Sequence, residues 1–249
     1  VFDYVYHLAA ETSTFVSEFK KDKCYKTNIM GALNLYNFCE KIKPKNLIFS
    51  SSMAVYGKNS YKKNERFNCK PISHYGISKL ACENIFLKLK NIGINVKVFR
   101  IFNAYGIFQD YNNPYQGMLS IYLTQIVRNS KVRVTGSLNR SRDFIYIVDI
   151  LNAFTNLRIL RNKKFDIFNL GSGKETKVNT LIQKLFEITG KSYKVILENQ
   201  HSGDTFTSCA DISRIKKFGW KTKINLDKGI KKTIFDLTYF DENNSSFNR

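Results

Sequence analysis

Residues 2–10, FDYVYHLAA, form a short apolar run that reads as a strand. From Thr27 the stretch TNIMGALNLYNFCEKIK places Ala32, Leu35, Tyr36 and Cys39 at i, i+3, i+4 and i+7. That spacing predicts a helix, with Pro44 beyond its end. NLIFSSS, residues 46–52, is a continuous apolar run of the kind buried on both faces in a parallel sheet. After a loop to Pro71, SHYGISKLACENIFLKLKNIG carries an apolar stripe of Cys82, Ile85, Phe86 and Leu89, and Gly93 marks its stop. NVKVFRIFNAYG returns to strand and loop. Strand, helix, strand, helix, strand over residues 1–106 predicts βαβ units and a parallel sheet.

Beyond Gly106 the pattern loosens. GMLSIYLTQIVRNS and NTLIQKLFEITG read as helices, the second closed by Gly190. KVRVTG reads as a short strand, RDFIYIVDILNAFTNLRIL as a strand running into a helix, and KFDIFNLGSG as strand and turn. The tail FDENNSSFNR is expected to fray. Residues 107–249 are therefore expected to be mainly a smaller lobe, with some segments returning to the sheet.

Composition narrows the class. With 43% hydrophobic and 14% aromatic residues in 249, the chain can bury a core and is not of a disordered type. The net charge of +20 comes from 40 Lys+Arg against 20 Asp+Glu. These cations are dispersed, without a dense basic block, which argues against a dedicated nucleic-acid role and fits attraction of an anionic substrate such as a nucleotide. Cys24, Cys39, Cys69, Cys82 and Cys209 include no C-x-x-C pair, so reduced thiols and a cytoplasmic location are expected. No apolar run approaches the roughly 18 residues that span a bilayer, so no membrane partner is expected. His7, His74 and His201 lack metal-ligand spacing, and no metal is expected. GSGKET, residues 171–176, lacks the spacing of a phosphate-binding loop.

Tyr75 and Lys79 stand four apart, hence on one face of the predicted helix. A free tyrosine, with a pKa of about 10, is a poor base at neutral pH. A lysine charge nearby is expected to favour phenolate and bring it toward the working range. A serine hydroxyl at a strand's C-terminal end can relay the proton, and that edge is where open α/β sheets bind ligands. Y-x-x-x-K alone occurs by chance in many helices.

The combination is more specific. HLAA (7–10), TNIMGALNL (27–35), FSSSMAVYG (49–57), YGISK (75–79), RIFNAYG (100–106), RDFIYIVDI (142–150), FNLGSG (168–173) and GDTFTSCAD (203–211) occur in one order along the chain. In these stretches the chain resembles the extended short-chain dehydrogenase/reductases, in the branch of nucleotide-sugar epimerases and dehydratases typified by UDP-glucose 4-epimerase. The resemblance implies an α/β fold: a Rossmann-like doubly wound parallel sheet lacking its N-terminal strands, with a smaller C-terminal substrate lobe. Residues 1–106 would be the C-terminal portion of the NAD-binding domain.

The resemblance also implies roles. Ser52, Tyr75 and Lys79 correspond to the family's catalytic trio, the lysine also bonding the nicotinamide ribose of NAD. Leu8, Ala9, Ala10, Thr27, Ser50 and Phe102 correspond to further cofactor contacts. Ser52, Asn103, Arg142, His201 and Asp204 correspond to substrate contacts. Arginine suits a diphosphate by its paired donors, and the bland alternative for Arg142 is a surface ion pair with Asp143 or Asp149. His201 stands where the family commonly has a second diphosphate arginine. Family dehydratases carry an Asp-Glu pair beside the serine, and related decarboxylases a glutamate; Met53 and Ala54 stand here and favour epimerisation.

The function so implied is NAD-dependent 4-epimerisation of a UDP-linked sugar through a 4-keto intermediate, feeding surface polysaccharide, by a protein that is a homodimer at full length. A nucleotide-sugar reductase using NADPH and a non-catalytic nucleotide- or RNA-binding relative are the alternatives. Relatives open with strand, G-x-x-G-x-x-G and helix, which hold the cofactor pyrophosphate. These 249 residues contain no such loop, so they read as part of a longer protein, with a degenerate paralogue as the alternative, and on their own are expected to show no measurable NAD⁺ binding and no epimerase activity.

Overall fold

The computed structural model describes residues 2–58, 62–115, 117–129, 131–162, 166–192, 194–198 and 206–246. The chain opens with β1 (Tyr4–His7), crosses through α1 (Thr14–Phe19), α2 (Lys21–Tyr25) and α3 (Gly31–Ile42), and returns as β2 (Asn46–Ser52). A π-turn over Lys26–Met30 joins α2 to α3, so the predicted helix begins earlier than its apolar stripe. A 3-10 turn at Met53–Tyr56 and α4 (His74–Leu87) form the next crossover, which leads to β3 (Asn95–Ile101). There follow β4 (Asn103–Tyr105), α5 (Met118–Asn129), β5 (Lys131–Thr135), β6 (Ser141–Arg142), β7 (Phe144–Tyr146), α6 (Ile147–Phe154) and α7 (Leu157–Leu160). The chain ends with β8 (Asp166–Leu170), β9 (Thr176–Lys177), α8 (Val178–Thr189), β10 (Lys194–Glu198), α9 (Ser213–Lys216) and α10 (Leu226–Ser246).

The main sheet has the order β1-β2-β3-β8, and every pair in it is parallel. β8 comes back from the second half of the chain to lie beside β3. Alternating side chains serve two cores. On one face Leu47, Phe49, Val96 and Val98 pack with Ala32 and Cys39 of α3 and Cys82 and Phe86 of α4. On the other, Ile48, Phe99 and Phe168 meet Ile150 and Phe154 of α6 and Trp220. A third core joins Leu123 and Ile126 of α5, Val132 and Val134 of β5, Leu181 and Leu185 of α8, and Ile230 and Leu237 of α10. Each fully buried side chain of this size stabilises by roughly 1.5–3 kcal/mol.

Buried charge ties the strand ends to α4. Arg100 of β3 donates through Nε and Nη2 to the two carboxylate oxygens of Glu83, at 3.0 and 2.7 Å. Ser51 of β2 donates to Glu83 Oε1 at 2.6 Å. One carboxylate thus sets the separation of β2, β3 and α4 just below the C-terminal edge of the sheet.

The tail departs from the sequence-based expectation. Phe240 to Ser246 continue α10 instead of fraying, and Phe247 to Arg249 lie outside the described residues. Phe240 packs against Tyr111 (ring centroids 5.6 Å apart), and Asp241 pairs with Arg128, so packing and an ion pair hold a polar sequence helical.

Candidate active site

α4 begins where its first-turn amides find partners. Ser73, in extended conformation, caps it by accepting from Gly76 N at 3.0 Å. Tyr75 N donates to Ser17 Oγ at 3.1 Å and His74 N to Glu18 Oε1 at 3.3 Å, so α1 supplies the remaining acceptors. The start of α4 presses on the 3-10 turn after β2. A Cβ on Gly76 would stand 2.6 Å from Ala54 O and 3.0 Å from Pro71 Cβ. Ser52 is the cap of that turn, its Oγ accepting from Ala54 N at 3.2 Å. Glycine at 76 therefore lets the first turn of α4, with Tyr75, approach the turn that Ser52 caps, and the Ser52 hydroxyl favours the ionised form of Tyr75. Deeper in, Asn28, presented by the π-turn, donates to Ser78 Oγ (2.8 Å) and exchanges two hydrogen bonds with the Glu11 backbone. These groups below the site were not singled out from the sequence.

Lys79 is buried, with Nζ donating to Ser50 O at 2.8 Å. Its ammonium lies 5.0 Å from the Phe49 ring centroid and 5.8 Å from that of Tyr75. Burial brings its pKa down to about 8. Burial likewise pushes the Tyr75 hydroxyl up to about 12, with the Ser52 hydrogen bond acting in the opposite direction. Burial is a larger influence on Tyr75 than the sequence, which displays only the nearby lysine, leads one to expect. Desolvation raises the phenol more than its neighbours lower it.

A cavity of about 840 Å³ opens beyond the sheet edge. Among the sequence-predicted residues it brings together Ser50, Ser52, Tyr75, Phe102, Asn103 and Arg142. Lys79 sits behind Ser50. Leu8, Ala9, Ala10 and Thr27 do not line the cavity; Leu8, Ala9 and Thr27 are exposed. His201 and Asp204 lie outside the described residues. Asn103 is oriented by donating Nδ2 to Asp143 O at 3.0 Å. Arg142 is buried, with Nη1 on Ser141 O at 2.7 Å. The two carboxylates near it in sequence accept from backbone amides: Asp143 from Ser172 N, Gly173 N and Ala210 N, and Asp149 from Lys223 N and Ile224 N. The amides of the GSG turn are thus committed to Asp143.

Two further arginines, not singled out from the sequence, share the wall. Arg140 donates Nη2 to Tyr122 Oη at 3.2 Å, and Arg133 pairs with Glu198 at 2.9 Å. Among the described residues, the lining drawn from residues 12–75 (Thr12 to Phe15, Ser50 to Ala54, Gly57, Ile72, Ser73 and Tyr75) carries no charged side chain, and the charged lining residues are Arg133, Arg140, Arg142 and Glu198.

Residues 1–171 match the model of the NAD dependent epimerase/dehydratase family. The chain belongs to that family. A Methanocaldococcus jannaschii protein with a provisional designation as a UDP-glucose 4-epimerase is 34% identical over 211 residues, covering 83% of this chain and 68% of that protein. The Escherichia coli dTDP-4-dehydro-6-deoxyglucose reductase is 33% identical over 241 residues, covering 92% of this chain and 73% of the reductase. A crystal structure of the Thermotoga maritima UDP-glucose 4-epimerase with UDP-glucose superposes with a TM-score of 0.89 at 32% identity, over 96% of this chain and 78% of the other.

NAD is the cofactor of this family, and the residues present fit its nicotinamide ribose. Lys79 carries three N–H donors in a buried place, and Ser50 O takes one of them. A ribose diol supplies acceptors of the right kind for the others. No described helix is long and apolar enough to cross a membrane.

Proposed function

We propose that the protein epimerises a nucleotide sugar at C4, with a UDP-linked, uncharged hexose as the substrate. The observation that carries this reading is that Ser52 and Tyr75 line one cavity together with Arg140 and Arg142. A diphosphate is matched by arginine, whose forked donors address two oxygens at once. A sugar ring is matched by the serine and threonine hydroxyls that line the cavity with Tyr75.

NAD, when bound, supplies the acceptor and later the donor of the hydride at C4, on a ring that is positively charged when oxidised. Tyr75 takes the proton from the C4 hydroxyl, with Ser52 bridging phenol and sugar. Lys79 holds the ribose and contributes positive charge beneath the phenol. With the phenol at about 12 on the protein's own groups, further positive charge in the site is what brings it toward neutral pH. The 4-keto sugar formed turns over within the cavity and is reprotonated by the same tyrosine. Met53 and Ala54 beside Ser52 offer no second acid or base for elimination of water.

The test is made on the protein from its native reading frame. UDP-glucose, or its N-acetylamino analogue, incubated with NAD⁺ is expected to yield the C4 epimer without net change in reduced cofactor. Tyr75→Phe is expected to lose turnover by about 10²-fold or more. The likeness to the Escherichia coli reductase favours a second reading, reduction of a 4-keto nucleotide sugar. Stoichiometric oxidation of NADPH with no epimer formed would establish it instead.

A further inference from the structure

The loop after β4 contains an unusual backbone position. Phe108 has φ +61°, a left-handed conformation disfavoured for any residue with a Cβ and rare for a bulky one. Its ring is 90% exposed and lines the cavity. An aromatic side chain held out at an opening, on strained backbone, calls for a restraint.

That restraint comes from α10. Asp236 Oδ2 accepts from Phe108 N at 2.8 Å and from the Tyr111 hydroxyl at 2.8 Å. Tyr111 is buried, packs on Phe240, and has its hydroxyl 3.4 Å from Thr233 O, so the same helix grips it at three points. Arg128 of α5 closes the far side, donating to Asn112 Oδ1 at 2.9 Å and pairing with Asp241. Asp236, Thr233, Phe240 and Asp241 do not line the cavity. Their influence on a ligand runs through the loop.

We propose that Asp236 is a positioning residue for substrate binding, acting through Phe108. Its carboxylate holds the Phe108 amide in the left-handed turn and so keeps the ring against the bound nucleotide sugar. The proposal rests on the nucleotide-sugar reading above. Without that carboxylate Phe108 relaxes to negative φ, and the ring swings off the cavity mouth.

The test is binding of UDP-glucose by calorimetry, with steady-state kinetics and thermal melts in parallel. Asp236→Ala is expected to raise Kd and KM about tenfold, the scale of a lost charge-assisted contact, and to leave kcat within about twofold. Asp236→Asn, which keeps an acceptor oxygen, is expected to recover most of the affinity. Phe108→Ala, an exposed change that leaves the fold intact, is expected to raise Kd equally. The double variant should bind no worse than either single one. Unchanged Kd in Phe108→Ala, additive losses in the double variant, or a lowered Tm with unchanged Kd in Asp236→Ala would each overturn the proposal. If the unaltered protein binds no nucleotide sugar, the functional reading falls first and this one with it.

Discussion

Replacing Gly76 by alanine is expected to slow turnover far more than it weakens binding. The added Cβ would lie 2.6 Å from Ala54 O and 3.1 Å from Ala54 C, about 0.8 Å inside the 3.4 Å at which ordinary contact begins. Pro71 Cβ stands at 3.0 Å on the other side. The Ala54 contacts are backbone, so a side-chain rotation cannot relieve them, and the first turn of α4 must lift. Helix propensity favours alanine over glycine by about 1 kcal/mol. Overpacking costs typically 1–3 kcal/mol, so the steric term wins and the loss of stability is up to about 2 kcal/mol. Lifting the turn carries Tyr75, the preceding residue, away from Ser52. A misplacement near 1 Å at a reacting group costs about 10²-fold. Steady-state epimerisation kinetics with urea unfolding measure both effects. The expected result is kcat down about 100-fold with KM within about threefold. A Gly76→Ala protein with unaltered kcat and an equal or higher unfolding midpoint would refute the close-approach argument.

Three other outcomes follow from the same structure. Glu83→Gln leaves Arg100 buried against a neutral amide and is expected to cost about 3–5 kcal/mol in urea unfolding, because breaking one partner of a buried pair strands the other. Lys79 has its folded pKa near 8 against 10.5 when solvated. Between those values the unfolded chain keeps its proton while the folded one releases it, so stability rises from about pH 8 to 10.5, and Lys79→Met should lack that rise in melts across the window. Ser17→Ala removes the acceptor of Tyr75 N and is expected to lower Tm by a few degrees, the effect of about 1 kcal/mol.

Much of the frame is legible in local pattern. β2 opens as a continuous apolar run, and α3 and α4 show the 3.6-residue stripe through Ala32, Cys39, Cys82 and Phe86, because both faces of the sheet and one face of each helix are dry. The one-face placement of Tyr75 and Lys79 is a matter of helix geometry alone. What escapes local reading depends on distant partners. Ser17 and Glu18 look like ordinary surface residues, yet they cap α4 from more than 50 positions away. The polar tail stays helical because Arg128 and Tyr111 meet it. The raised pKa of Tyr75 follows from burial, which the local sequence does not display. Arg133 and Arg140 join Arg142 only once the lobe has folded around the cavity.

The most direct measurement of the central claim is the fate of the hydrogen on C4. UDP-glucose labelled with deuterium at C4 is converted by the protein and the product analysed by NMR. If Tyr75 handles only the hydroxyl proton while the carbon-bound hydrogen leaves and returns as hydride, the C4-inverted product retains the label at C4. Loss of deuterium to solvent in the inverted product would mean that carbon is deprotonated directly, and the assignment of Tyr75, Ser52 and Lys79 to hydroxyl chemistry would be wrong.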